Sequence, residues 1–90
     1  MFDTNFGYVF IVPPTLGKRR IFLQIGKRDS EYTNIVGRME LNPHTKQWVF
    51  GASMFSSYFL PSPKQIENLT KWANQHIPRS RKKLLEKLNG

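Results

Sequence analysis

Four residues carry the most specific chemistry in this chain. In the stretch GKRRIFLQIGKR, residues 17–28, Arg20, Phe22 and Gln24 alternate with Ile21, Leu23 and Ile25. On a β-strand successive side chains point to opposite faces, so the first three share one face and the three aliphatic residues share the other. Arg38 falls on the corresponding face of the next strand-like segment. Single-stranded nucleic acid is held by a positive groove that follows its backbone and by aromatic faces on which bases stack, at about 1–3 kcal/mol per base. Arg20, Phe22, Gln24 and Arg38 supply that combination, and Lys18, Arg19, Lys27 and Arg28 at the strand ends widen the positive rim.

A plainer reading uses the same residues. Phe22 would pack beneath a helix or the N-terminal strand, and the basic residues would be the solvated ends of a core strand. A helix covers only one face of a sheet, and the Ile21, Leu23, Ile25 face is the better candidate for the core. The choice between platform and core strand therefore rests on which face the helix takes.

A second basic group closes the chain. Arg79, Arg81, Lys82, Lys83 and Lys87 could clamp phosphates from a charged helix or arm. They could equally form a solvated helix face, a localisation signal or a helix that folds against a partner. The chain holds fourteen Lys plus Arg against six Asp plus Glu, a net charge of +8, and residues 63–90 alone hold seven basic and two acidic side chains. A field of this sign attracts polyanions, of which phosphate backbones are the commonest.

Catalytic and metal chemistry have little to build on. There is no cysteine, which removes disulfides, thiol catalysis and thiolate zinc sites. The two histidines, His44 and His76, are far apart in sequence and outside any HxxxH or HxxE spacing, so neither a metal nor another cofactor is expected. The acids are scattered, and neither a GxSxG elbow nor a GxxxxGK phosphate loop occurs. The one enzymatic alternative is a small ribonuclease or toxin-like protein, with His44, Tyr32 or Tyr58 as acid or base and arginines on the phosphate. His44 also fits an ordinary exposed turn, and His76 fits the last turn of a helix, where the dipole favours it.

The elements that must position these groups follow from pattern. FGYVFIV, closed by Pro13-Pro14, predicts strand one at about 6–12, and the segment around IFLQI predicts strand two at about 19–26, ended by the polar cluster KRDSE. TNIVGRMEL predicts strand three at about 33–41, with Ile35, Gly37, Met39 and Leu41 facing one way and Asn34, Val36, Arg38 and Glu40 the other. Asn42-Pro43-His44-Thr45 predicts a tight hairpin into strand four at about 46–51, where Trp48 reads as core, and ASMFSSYFL predicts an edge strand at about 54–60. Ser62-Pro63-Lys64-Gln65 combines an N-cap serine, proline at the first helical position and a capping-box glutamine. Ile66, Leu69, Ala73 and Ile77 continue at helical spacing, with Trp72 at the stripe's edge, which predicts a helix over about 63–76 that Pro78 ends. A second, short helix could begin at Ser80 with Leu84, Leu85 and Leu88 as its apolar side, and it would depend on docking.

The expectation is an α+β domain over residues 1–77: a four- or five-stranded antiparallel β-meander with one amphipathic helix on one face. Residues 78–90 form a basic C-terminal helix or tail. With 39% apolar residues and twelve aromatics the chain can bury a core. No run approaches the roughly 20 apolar residues of a membrane helix, and MFDTNF lacks the basic start of a signal peptide. These features suggest a protein of the cytosol, nucleoid-associated or nuclear if it binds DNA. The function expected is non-catalytic binding of DNA or RNA, single strands favoured, by the sheet face and tail. The main alternative is a regulator that binds a protein partner, such as a small phage or mobile-element factor on host machinery. An open edge at strand one or five could also pair two copies across a two-fold axis.

Overall fold

The computed structural model describes residues 1–13, 16, 20–29, 32–51 and 61–89. Five strands form one antiparallel sheet in chain order: β1 (Phe2–Asp3), β2 (Tyr8–Ile11), β3 (Phe22–Asp29), β4 (Tyr32–Leu41) and β5 (Trp48–Gly51). Two helices follow, α1 (Pro63–His76) and α2 (Arg81–Asn89). The α+β meander expected from the sequence is the fold.

The fifth strand arises at an unexpected place. Phe2 and Asp3 pair with Phe10 and Val9, because the polar turn before Tyr8 folds the N-terminus back. Asn5 adopts φ 69°, and the Thr4 hydroxyl and amide both donate to the Tyr8 carbonyl, at 2.6 and 3.1 Å. The edge strand expected at 54–60 lies outside the described residues. β3 also runs past its expected end at 26, since residues 27–29 continue the ladder against 32–34.

Strand register sorts the side chains into two faces. Phe10, Ile25 and Gly37 align across β2, β3 and β4, as do Leu23, Met39 and Phe50 across β3, β4 and β5, and Leu41 aligns with Trp48. These residues face the helices. Phe10, Leu23, Ile25, Met39, Leu41 and Trp48 are buried there with Leu69, Ala73, Ile77 and Leu84, and Ile21 packs against them. Gly37 makes room for the Phe50 ring, which would lie 2.9 Å from a Cβ at that position.

One expectation about β4 is corrected. Its register slips between the Ile25 and Gly26 pairings, where Gly37 and then Ile35 are the partners and Val36 is left over as a bulge. A bulge adds one residue and reverses the alternation beyond it. Val36 therefore enters the core, fully buried, while Ile35 turns to the other face and is exposed. The regular alternation expected for residues 34–41 holds only from Gly37 onward.

α1 is fixed where its sequence signals lie. The Ser62 hydroxyl accepts from the Gln65 amide at 3.2 Å, and the Gln65 side-chain oxygen accepts from the Ser62 amide at 3.1 Å. The same Gln65 oxygen accepts from the Tyr8 hydroxyl at 2.9 Å, which ties the helix start to β2. Trp72 stacks on Phe10 at a 5.7 Å centroid separation. At the far end Asn74 accepts from the Trp48 amide at 2.7 Å and donates to the Trp48 carbonyl at 3.2 Å, closing the helix over β5. α2 starts at Ser80, whose hydroxyl accepts from the Lys83 amide, and it docks through Leu84, which is fully buried.

Candidate functional site

α1 and α2 cover the Leu23 face, and among the described residues no helix lies on the opposite face, where Val9 is nonetheless fully buried. Phe22, Glu40 and Val49 align there in one row, and Gln24, Arg38 and Gly51 in the next, with Ile11 beside Gln24. Gly26 continues the face between Val9 and Ile35. A Cβ at Gly26 would lie 2.5 Å from the Thr33 methyl, 3.2 Å from Ile11 and 3.3 Å from Val9, so glycine lets these three side chains approach the strand.

Arg20, Phe22, Gln24 and Arg38 are thus brought together on the face that the helices leave open. Phe22 is half-buried and stands apart from the helix-side core. The Arg38 guanidinium lies over its ring, 5.6 Å from the centroid. Cations are attracted to the negative face of an aromatic ring, so this contact favours Arg38 beside Phe22.

Glu40 stands between the arginines. One carboxylate oxygen pairs with Arg38 Nε at 3.0 Å and the other with Arg20 Nη1 at 3.7 Å. The arginine side chains are 46% and 75% exposed and Glu40 is 24% exposed, so each pair contributes no more than about 1 kcal/mol. Their larger effect is to orient the three groups. The β4–β5 hairpin completes the surroundings: Asn42 Oδ1 accepts from the His44 and Thr45 amides at 2.8 and 3.2 Å, and Lys46 takes φ 59°. His44, Asn42, Pro43 and Val49 then line a groove of about 460 Å³ with Arg20 and Glu40.

The remaining basic residues separate. Arg28 lies on the open face near its far end, paired with Asp3 at 3.4 Å. Lys27 aligns with Tyr8, on the helix side, and is exposed. Lys18 and Arg19 lie outside the described residues, as does Tyr58, and the Tyr32 side chain is likewise undescribed. Arg79, Lys82, Lys83 and Lys87 are exposed and Arg81 is half-buried. Lys87 lies over the Phe2 ring at 5.5 Å, and Phe2 aligns with Phe10 on the helix side. The tail and Phe22 therefore occupy opposite sides of the sheet. Sequence had no means of placing His44 beside Arg20 and Glu40, because that proximity depends on which strands are neighbours.

His76 packs on Trp72 at 4.6 Å and, with Arg79, Ser80 and Lys83, borders a groove between the two helices. Among the described residues no group of three or more His, Asp or Glu could hold a metal ion, and no helix is long and apolar enough to cross a membrane. Comparisons with protein-family models, curated proteins and solved structures give no match to this chain.

Proposed function

We propose that this protein binds nucleic acid without catalysis, taking a single strand across the open face of the sheet. The observation that carries this reading is Phe22: a large, half-buried aromatic on the face opposite the helices, outside the helix-side core, framed by Arg20, Gln24 and Arg38. A base stacking on the Phe22–Arg38 pair gains both aromatic and guanidinium contact. Arg20, the most exposed of the paired arginines, is free to turn from Glu40 to a passing phosphate. The tail offers a second, electrostatic contact to chains long enough to reach round the sheet. Exposed Val49 and Ile35 on the same face support the competing reading of a protein partner.

A salt titration of a labelled oligothymidylate and an oligouridylate separates the two. Binding should be measurable at about 50 mM salt and weaken as salt rises, since each neutralised phosphate releases counterions. Absence of binding to both probes at about 50 mM would refute the proposal in favour of a protein partner.

A further inference from the structure

Glu40 is out of place on a surface meant for phosphates, and its geometry says what else it can do. The carboxylate is oriented by Arg38 Nε at 3.0 Å and Arg20 Nη1 at 3.7 Å, and the closer Arg38 contact remains when Arg20 turns to a phosphate. A carboxylate has about four acceptor positions, and two ion-pair contacts leave acceptor capacity over. The side chain is 24% exposed and borders the groove formed with Asn42, His44 and Val49. The groove's volume of about 460 Å³ falls within the size range of small-ligand pockets. Phe22 is the direct cross-strand partner of Glu40, and such neighbours have Cβ atoms about 4.5–5.5 Å apart.

We propose that this groove reads a guanine base, a refinement that rests on the nucleic-acid reading above. An unstacked base is recognised along its Watson–Crick edge. Guanine presents two adjacent donors there, N1–H and the 2-amino group, which match the two oxygens of one carboxylate in charge-assisted hydrogen bonds. Adenine and cytosine each place a ring-nitrogen acceptor beside their amino donor, and uracil and thymine flank their single N–H with carbonyl oxygens. Those acceptors would face the negative Glu40. The carboxylate that weakens phosphate binding thereby becomes a selector for one base, with Phe22 as the adjacent stacking surface.

The test uses the full chain and fluorescence anisotropy at about 50 mM salt. Oligouridylate and oligothymidylate probes each carry one central G, A, C or inosine. Guanine should tighten binding by about 10-fold over the unsubstituted probe, the scale of one good bidentate contact, while adenine and cytosine should not. Inosine, which lacks the 2-amino group, should lose most of the gain, and this measurement needs no variant. Glu40→Gln should abolish the preference, because its amide offers only one acceptor, with far-ultraviolet circular dichroism confirming the fold. Comparison of the two backgrounds shows whether the guanine comes from RNA or DNA. If all bases bind alike and Glu40→Gln tightens every probe equally, Glu40 is only a counterion and the guanine inference is overturned while nucleic-acid binding stands. If no probe binds, the underlying reading fails as well.

Discussion

Replacing Phe22 with alanine separates a stacking platform from a core strand. Phe22 lies on the face opposite the helices, half-buried, and takes no part in the helix-side core. Truncating a fully buried phenylalanine typically costs about 3–5 kcal/mol. Here the loss is partial burial plus the contact with Arg38 at 5.6 Å, which contributes about 0.5–1 kcal/mol at an exposed site. With roughly two thirds of the side chain buried, the expected destabilisation is about 2–3 kcal/mol, a fall in Tm of roughly 10–20 °C for a domain of this size. Binding should weaken as well: one lost stacking contact is worth about 1–3 kcal/mol, or about 5- to 150-fold in Kd. Urea unfolding measures the first quantity. Anisotropy with an oligouridylate, corrected for the folded fraction, measures the second. A variant that loses stability while its affinity per folded molecule is unchanged would mean that Phe22 is a packing residue, and the platform would be refuted.

Two further outcomes test the scaffold beneath the site. Asn74→Ala removes the partners of both the Trp48 amide and the Trp48 carbonyl, and should destabilise the fold by about 1–3 kcal/mol; a change below about 0.5 kcal/mol in urea unfolding would show that the helix-to-strand clamp is unimportant. Burial holds the Tyr8 phenol above its ordinary range. The native state then retains a proton that the unfolded chain releases, so this contribution is complete below about pH 10, the unfolded value, and declines as pH rises above it. Unfolding free energies at pH 8 and 10.5 should fall less steeply in Tyr8→Phe than in the parent; equal slopes would contradict the shift.

What the sequence made legible follows from the range of each signal. The α1 boundaries were readable because the Ser62–Gln65 capping box and the proline at position 63 act within one helical turn. The faces of β3 were readable because alternation in Ile21, Leu23 and Ile25 is unbroken. The Val36 bulge was not, since an extra residue shows only when a strand is laid against its partner. β1 escaped notice because two residues carry no periodicity, and only the turn at Thr4–Gly7 marked it. At the site, the placement of Arg20, Phe22, Gln24 and Arg38 on one face follows from strand parity. The proximity of His44 and the opposition of the tail follow from topology.

That opposition changes what the charge of the chain can mean. A net charge of +8 suggests an interface dominated by phosphate contacts. On the open face, however, Arg20 and Arg38 share Glu40, and Arg28 pairs with Asp3. Among the described residues, three cations against two anions leave little net charge where Phe22 lies, while the dense positive group sits with α2 on the other side. Each neutralised phosphate contributes about 0.7 to the logarithmic salt slope for a single strand, so a short oligonucleotide held by the open face should show a slope far shallower than the composition implies. Affinity there has to come from stacking and base contacts, which salt screens weakly. A probe long enough to reach the tail would add the steep electrostatic component, and the dependence of the salt slope on probe length would report how the two sides of the sheet divide the work.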